Sequence, residues 1–299
     1  MIELTDLDSS DSRMAQAREG LTRALELARQ IDDGAAECAA LNSLANVAID
    51  QGLVVEACSH CEAGLERARA VEDRGWQCAL LGNLGMLHAN VGRMAEARSC
   101  LEQAINLART LADRRREVEH LCNLGMLHLV QRRLDEATDV SQQALRVARE
   151  VGHRRVQGIV HCNLGVVEEE RGRAVEALAN FDAGLKVMRD LGDRRHEGQF
   201  LGYVGRTRAR LRQYELAREC FVAGRALLSE VSDSLSLGIL LCDLAICEWH
   251  AGDVAAARRA FDEACAMGAP TGAGPDSELG QALARAQALL GHGRDTQAI

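Results

Sequence analysis

The amino-acid sequence predicts an all-α protein in which antiparallel helix pairs stack into a solenoid. Three observations support this fold class: a 40-residue repeat without insertions, apolar columns at helical spacing, and no proline before Pro270. A long proline-free stretch allows uninterrupted helix almost anywhere. Aromatic residues make up only 3% of the chain, which suits closely packed helices better than a β-sandwich rich in aromatic and β-branched side chains.

The repeat is clearest in its first half. The segment Leu-Gly-Asn-Leu-Gly-Met-Leu-His at 81–88 recurs with one substitution at 121–128. Looser copies keep the same 40-residue step at 41–45, 161–165, 201–205 and 241–245. Copies in constant register predict one structural unit per repeat, each stacked on its neighbours.

Each repeat contains two predicted helices, for example at about 74–91 and about 94–111. Gly92 lies where a helix C-cap needs a left-handed residue. Small residues at Gly85 and Ala97 allow the two helices of a pair to approach closely. Aspartates occupy the expected N-cap positions, at Asp73, Asp113, Asp193 and Asp233. Each pair leaves an apolar face that only the next pair covers, which predicts a one-dimensional array.

These columns resemble those of the tetratricopeptide repeat family over roughly residues 13–267. The family's first-helix signature, bulky-x-x-Leu-Gly-x-x-Tyr, is matched by Leu81, Leu84, Gly85 and His88, with histidine in the tyrosine place. The 40-residue period and the missing terminal proline are similar to the long-repeat subclass, which includes Leu-Gly-Asn-repeat adaptors and arrays in bacterial regulators. The resemblance implies a right-handed α-solenoid that binds another protein.

The two ends of the array differ from its middle. Residues 13–30 match only a second helix, so the array begins mid-repeat, either as a cap or as the cut end of a longer protein. The predicted segments are a disordered N-terminus at 1–12, a half-repeat or capping helix at 13–33, six repeats at 34–267, a Gly/Pro linker at 268–276, a capping helix at 277–290 and a tail at 291–299.

Charge and composition narrow the class of protein. A net charge of −9 argues against a nucleic-acid or anionic-membrane partner. No signal peptide opens the chain, and no window approaches the roughly 18 apolar residues of a membrane span. Eleven cysteines in such a chain predict free, mostly buried thiols and a cytoplasmic location. Lys186 is the only lysine, a bias typical of GC-rich bacterial genomes.

In the family, the first helices line a concave groove that holds peptides, and the groove positions are carried over by alignment. The predicted partner-binding residues are Asn46, Met86, Asn90, Met126, Leu129, Val130, Val166, Glu169, Glu170, Arg206, Arg210 and Trp249. The resemblance therefore implies a groove that is apolar in repeats two and three and charged in repeats four and five.

The apolar part consists of Met86, Met126, Leu129 and Val130, called the unit 1 strip below. An open strip of this kind suits the apolar face of a helix or an extended peptide. The alternative is that these side chains pack beneath the neighbouring helix.

The charged part pairs Glu169 and Glu170 in repeat four with Arg206 and Arg210 in repeat five. It is either a polar clamp for a partner's charges or an ion pair within the chain, worth little at the surface.

A ladder of arginines marks the turns between repeats, at Arg74, Arg114, Arg154 and Arg194. The plain explanation is contact with acidic side chains or with carbonyls of the same chain. The functional alternative is an acidic partner.

The sequence predicts no catalytic residue, no cofactor and no metal site. Cys58 and Cys61 lie one helical turn apart beside His60, but no second pair at zinc-ligand spacing accompanies them. His88 and His128 replace the family's packing tyrosine, with metal bridging as the alternative. Phosphate loops, nucleophile elbows and dinucleotide fingerprints are not found.

The leading hypothesis is a scaffold whose groove holds a peptide or helix of a partner protein. One alternative is the sensor or regulatory region of a larger bacterial signalling protein, suggested by the half-repeat at the start. Another is a structural protein that self-associates through the uncovered face of helix 13–30.

Overall fold

The chain is all-α. The computed structural model describes residues 3–271 and 277–292, with side chains for 15–49, 51–268 and 277–291. This part of the chain forms fourteen α-helices and no strand, which confirms the predicted fold class. The helices are α1 (Glu3–Gln30), α2 (Gly34–Asp50), α3 (Val54–Ala70), α4 (Arg74–Asn90), α5 (Met94–Thr110), α6 (Arg114–Val130), α7 (Leu134–Glu150), α8 (Arg154–Glu170), α9 (Ala174–Leu191), α10 (Arg194–Arg210), α11 (Tyr214–Glu230), α12 (Ser234–Ala251), α13 (Val254–Thr271) and α14 (Glu278–His292).

A left-handed residue closes every helix from α1 to α12. Residues with positive φ occur at every twentieth position from Asp32 to Gly252, and glycine occupies half of these positions. The turn at Gly92 is typical, because the Gly92 N–H donates to the Ala89 carbonyl at 3.1 Å and the Arg93 N–H to the His88 carbonyl at 2.8 Å. These bonds satisfy carbonyls that a helix end leaves unpaired. The turns within and between pairs are therefore equally short.

Aspartate caps begin the first helix of most pairs. The Asp73 carboxylate accepts a hydrogen bond from the Trp76 N–H at 3.0 Å, and all four aspartates predicted as N-caps make the equivalent bond. A cap of this kind stabilises a helix by about 1 kcal/mol. At α8 the cap position holds His153, whose side chain makes no capping bond.

The array divides into two compact units, which the sequence did not predict. Unit 1 runs to Val151 and contains α1 to α7; unit 2 begins at Gly152 and contains α8 to α14. The boundary falls at the turn where His153 replaces the capping aspartate.

In unit 1, α1 packs on α2, and the following helices form the pairs α2/α3, α4/α5 and α6/α7. A Cβ at Gly85 would lie 2.7 Å from Cγ of Leu101, so glycine is required for this close helix pairing. Between pairs, a Cβ at Gly64 would lie 3.1 Å from Cδ1 of Leu80. Unit 1 is therefore held by small residues that face bulky ones, both within and between pairs.

Unit 2 follows the same rule with larger side chains. A Cβ at Gly165 would lie 2.5 Å from Cε1 of Phe181, which is fully buried. At the other end α14 packs on α12 and α13, and its Leu279 is buried against Gly238. The last helix therefore covers the apolar face that the α12/α13 pair leaves open.

Three helix bounds differ from the predicted segments. α1 begins at Glu3, within the stretch 1–12 predicted to be disordered, since neither proline nor glycine interrupts residues 3–19. α13 continues to Thr271, into the predicted linker, where it packs on α14; a Cβ added at Gly268 would lie 3.3 Å from Cδ1 of Leu283. α14 ends at His292, and residues 272–276 and 293–299 of the predicted linker and tail lie outside the described residues.

One helix corrects the expectation that no segment of the chain is long and apolar enough to span a membrane. The span Ser234–Ala251, which is α12, is long and apolar enough to cross a membrane by length and composition. From the sequence alone, no such window was expected. Half of this span is buried within unit 2, where α12 packs against α10, α11, α13 and α14. Its apolar character is that of a core helix.

Candidate functional site

The unit 1 strip lies on the first helices α4 and α6, which pack directly against each other. Met126 is 37% exposed and Val130 is 60% exposed, while Met86 and Leu129 are half-buried. The alternative that these side chains pack beneath a neighbouring helix therefore does not hold for Met126 and Val130. Apolar surface reaches solvent on α6.

Uncharged polar side chains border the strip. Asn46 on α2 and Asn90 on α4 are exposed. The Asn83 amide donates a hydrogen bond to the Asn42 side-chain oxygen at 2.8 Å, which ties α4 to α2. Ile49 of α2 adds further exposed apolar surface. The predicted groove residues of unit 1 are thus apolar or amide-bearing, and none of them carries a charge.

In unit 2, Glu169 of α8 is the centre of a buried ion network. Its side chain is only 2% exposed. The carboxylate accepts hydrogen bonds from Arg206 Nη2 at 2.5 Å and from the Thr207 hydroxyl at 3.0 Å, and Arg210 Nη1 lies 3.3 Å away. On its other side, Arg206 Nη1 lies 3.7 Å from the carboxylate of Asp243 on α12.

The network, defined as Glu169, Arg206 and Asp243, joins three successive first helices. Arg206 also lies over the Tyr203 ring, 4.9 Å from its centroid, a favourable cation–π position. Burial alone would lower the pKa of Arg206, but the carboxylates of Asp243 and Glu169 raise it, so the guanidinium stays charged. Burial raises the pKa of Asp243, against the opposing effect of Arg206.

The four residues of the predicted clamp therefore fall into a buried pair and an exposed pair. Glu169 and Arg206 form an ion pair within the chain, as the plain alternative held, but the pair is buried and not at the surface. Arg210 and Glu170 remain exposed. Asp243 was not among the predicted residues, although it stands where the repeat motif has asparagine.

The last two predicted groove residues lie on different helices of unit 2. Val166 on α8 and Trp249 on α12 are both half-buried. His250, next to Trp249, is exposed. These side chains are placed on first helices, as the alignment implied, but only part of each reaches solvent.

Three of the four ladder arginines pair with acidic side chains of their own chain. Arg114 bonds to both Glu117 and Glu150. Arg154 lies 2.7 Å from Asp190. Arg194 lies 3.6 Å from Glu197, and Arg155 and Arg195 reach the capping aspartates Asp193 and Asp233 at 2.9 and 3.5 Å. For Arg114, Arg154 and Arg194, contact with acidic side chains of the same chain is therefore the explanation that the structure supports.

Comparison with models of protein families shows the family of this chain. The tetratricopeptide repeat family matches residues 36–110 and 116–190. The chain belongs to the tetratricopeptide repeat family. A search among curated proteins finds no match.

Solved structures share the fold of this tetratricopeptide repeat protein. Aspartyl phosphate phosphatase F from Bacillus subtilis is 13% identical, with a TM-score of 0.67 over 92% of this chain and 74% of that one. A Rap protein complexed with Competence and Sporulation Factor is 15% identical, with a TM-score of 0.66 over 91% and 79%.

A third structure is a signal transduction ATPase with a tetratricopeptide repeat sensor from Pyrococcus horikoshii. It is 14% identical, with a TM-score of 0.64 over 90% of this chain and 41% of that one. Such low identities show the fold alone. The repeat fold supports a role in protein interaction in general terms.

The tetratricopeptide repeat protein departs from its family's tyrosine by burying histidines. His88 and His128 are both buried, and Nδ1 of each has no hydrogen-bond partner among the described residues. Burial lowers the pKa of His128, reinforced by Arg133 and opposed by Glu136. A neutral imidazole therefore fills the place of a packing tyrosine in α6.

The cysteines are mostly core residues. All eleven are free thiols, and burial raises the pKa of Cys61 to about 12. Such a thiol is protonated near neutral pH and is a poor nucleophile. Within residues 3–271 and 277–292, no three His, Cys, Asp or Glu side chains come together in a group that could hold a metal ion.

Proposed function

We propose that this protein is a scaffold that binds an apolar segment of a partner protein on the unit 1 strip. The observation that carries the proposal is the exposure of Met126 and Val130 on a first helix. Contact with an apolar partner would remove this surface from water, at about 25 cal/mol per Å² buried. Methionine adapts its shape to different partners.

The surroundings of the strip favour an uncharged contact. Asn46 and Asn90 offer amide donors and acceptors to polar groups at the edge of a bound segment. An amphipathic helix or an extended peptide with spaced apolar side chains fits such a surface. In unit 2 the exposed Arg210 and Glu170 are the residues that a charged part of a partner would contact.

The test begins with a phage-displayed peptide library selected on the full chain at pH 7.5. Selected peptides are synthesised, and their affinities are measured by fluorescence anisotropy. Met126→Glu and Val130→Glu place a charge in the strip and are expected to weaken binding at least about tenfold, or about 1.4 kcal/mol. Far-UV circular dichroism checks that helicity is unchanged.

Val55→Glu is the matched control. Val55 is 83% exposed in the same unit but lies on α3, a second helix. The proposal requires wild-type affinity in this variant. Equal loss in all three variants, or unchanged affinity in the strip variants, contradicts the proposed surface. If Arg210→Glu alone abolishes binding, the site lies in unit 2.

A cytoplasmic location belongs to the same proposal. Its support is the state of the cysteines, which are all free thiols in the structure. Disulfides form and persist in oxidising compartments and are rare in the cytosol. Fractionation of the native cell tests it, and recovery in an extracellular or membrane fraction contradicts it.

Self-association is the second candidate, favoured by the face of α1. Leu27 and Ile31 are exposed, and so is Ala24. The matching residues Gly64 and Ala104 are buried in later pairs. A second copy would cover this surface as the first helix of the same pair does elsewhere. Sedimentation over a range of concentrations tests it, and a monomer throughout rejects it.

A sensor role in a larger signalling protein is the third candidate. Its support is the likeness to the sensor-bearing ATPase, 41% of whose length this chain covers. Purification from the native host with identification of bound proteins by mass spectrometry tests it. Stoichiometric recovery of a signalling enzyme supports the role, and recovery of non-enzymatic partners alone argues against it.

A further inference from the structure

His120 of α6 stands in a column that is otherwise apolar. The equivalent residues of the other repeats are Ala40, Leu80, Val160, Phe200 and Leu240. All of them are buried, and His120 is buried with them. A polar, ionisable ring at such a position is an exception that calls for a physical reason.

This column forms the joint between successive helix pairs. In unit 1, Leu80 packs on the backbone of Gly64, the small residue of the preceding pair, and in unit 2 Leu240 packs on Gly224 in the same way. His120 occupies that place between the α4/α5 and α6/α7 pairs. A Cβ at Gly82 would lie 2.2 Å from the ring's Cε1, so glycine at this position makes room for the imidazole.

The ring has one polar contact and one unpaired nitrogen. His120 Nε2 lies 3.4 Å from the sulfur of Cys78 on α4. That thiol donates to the Ala104 carbonyl of α5 at 3.3 Å. His120 Nδ1 is buried without a hydrogen-bond partner among the described residues. A neutral imidazole fits here, whereas a second N–H on the charged ring would point at no acceptor.

Charged groups near the ring all belong to α6 and its cap. Burial lowers the pKa of His120; Glu119 and Asp113 act to raise it, and Arg116 lowers it further. The group that α4 turns toward the ring is the Cys78 thiol, which itself donates to a backbone carbonyl of α5. Neither of these elements supplies a carboxylate in contact with the ring that would stabilise the imidazolium.

The joint supports the proposed binding surface directly. Met86 is carried by α4, and Met126 and Val130 by α6. The strip is continuous only while these two helices stay packed. A change at His120 therefore acts on the strip without any contact between the ring and the partner.

We propose that His120 is an acid sensor: protonation of its buried imidazole loosens α4 from α6 and releases the partner from the unit 1 strip. This regulation rests on the proposed function. Opening takes up one proton from water at the imidazole, separates the ring from the Cys78 sulfur, and breaks no covalent bond between heavy atoms.

The direction of the pH dependence follows from linkage. In an open joint the ring has an ordinary histidine pKa of about 6.5, while in the packed joint burial lowers the pKa. The packed joint is therefore fully stable above about pH 6.5 and loses stability as the pH falls toward the lowered pKa. The population of the open joint is expected to rise between pH 7.5 and pH 5.5, by up to about tenfold.

Amide hydrogen exchange of the full chain without a partner tests the sensor. Exchange in α4 and α6, normalised for the intrinsic effect of pH, is expected to rise at pH 5.5, by up to about tenfold. His120→Leu introduces the residue that occupies the equivalent position at Leu80 and Leu240. It is expected to remove most of the acid-induced rise in exchange. His128→Tyr is the matched control, because it replaces another buried histidine of α6 with the family's residue and should retain the rise at the α4–α6 joint.

An NMR titration of the wild-type imidazole provides a measurement that needs no variant. A midpoint below 6.5 for His120, coincident with shifts in the Met86 and Met126 methyl signals, supports the sensor. A midpoint at or above 6.5, or an equal rise in exchange in His120→Leu and wild type, overturns it.

Peptides selected on the chain separate this inference from the proposed function. If exchange responds to His120 but no selected peptide depends on the strip, the binding surface is wrong and only the acid-driven opening of the α4–α6 joint stands. If peptides bind the strip and acid releases them equally from wild type and His120→Leu, the sensor is wrong and the scaffold stands.

Discussion

Replacing Arg206 by methionine tests the buried ion network of unit 2. In the wild type this arginine serves two carboxylates, Glu169 at 2.5 Å and Asp243 at 3.7 Å, whose side chains are 2% and 5% exposed. Removing one partner of a buried ion pair typically costs about 3–5 kcal/mol. Because Thr207 and Arg210 still contact Glu169, we expect a loss of about 3 kcal/mol in the free energy of unfolding at pH 7.

Glu169→Gln should lower the free energy of unfolding by less, about 1–2 kcal/mol. Arg206 keeps Asp243 as a partner, and the glutamine oxygen still accepts from Thr207. The double variant Glu169→Gln/Arg206→Met should lose less than the sum of the single losses, since the two residues share one network.

The pH dependence has a definite sign. Burial raises the pKa of Asp243 in the folded state, so its protonated form is favoured by folding. The charged Asp243 side chain therefore destabilises the folded state. This destabilisation is absent below the pKa of an aspartate in the unfolded chain, about 3.9, and grows as the pH rises through the folded-state pKa. Removing Arg206 destabilises the charged form of Asp243 in the folded state further, because its nearby positive charge is lost. The destabilisation by Arg206→Met should therefore be smaller at pH 5 than at pH 7.

Urea unfolding followed by tryptophan fluorescence measures these differences. Trp249 lies in unit 2 and Trp76 in unit 1, so a Trp76→Phe background reports unit 2 alone. An Arg206→Met loss below about 1 kcal/mol would refute the buried-network reasoning, because it would place the pair in the range of surface salt bridges. A larger loss in Glu169→Gln than in Arg206→Met would also refute it.

Two further predictions concern glycine and use the same unfolding assay. Gly92→Ala, at φ +76°, should destabilise by about 1 kcal/mol, and Ala112→Gly, at φ +55°, should stabilise by a similar amount; effects of the same sign would contradict the strained-turn account. Gly165→Ala should destabilise by about 1–3 kcal/mol, because its Cβ would meet Phe181 at 2.5 Å. In contrast, Gly20→Ala has open space and should stabilise by about 1 kcal/mol through helix propensity.

Local features of the fold were readable from the sequence. The 40-residue period, the turn at Gly92 and the capping aspartates predicted the helix pairs and their caps, and the structure confirms them. These features depend on residues within a few positions of each other, so the chain's own spacing fixes them. The division into two units at Gly152 was missed, although His153 marked it by replacing a capping aspartate.

The candidate site was only partly readable. Alignment with the family placed Met126 and Val130 on a first helix, and their exposure agrees with an open strip. It gave no means to see that Glu169 is enclosed, because enclosure depends on how closely the next first helix packs.

The 40-residue repeat thus determined the secondary structure, the pairing of helices and the family, since each is set by local spacing and by columns repeated along the chain. Tertiary structure alone decided which polar groups are buried and with whom. Glu169 meets Arg206 across 37 residues, and Cys78 meets His120 across 42, neither of which is the repeat step. Those contacts arise from the packing of side chains between neighbouring pairs, where a shift of a few ångströms separates a surface charge from a buried one.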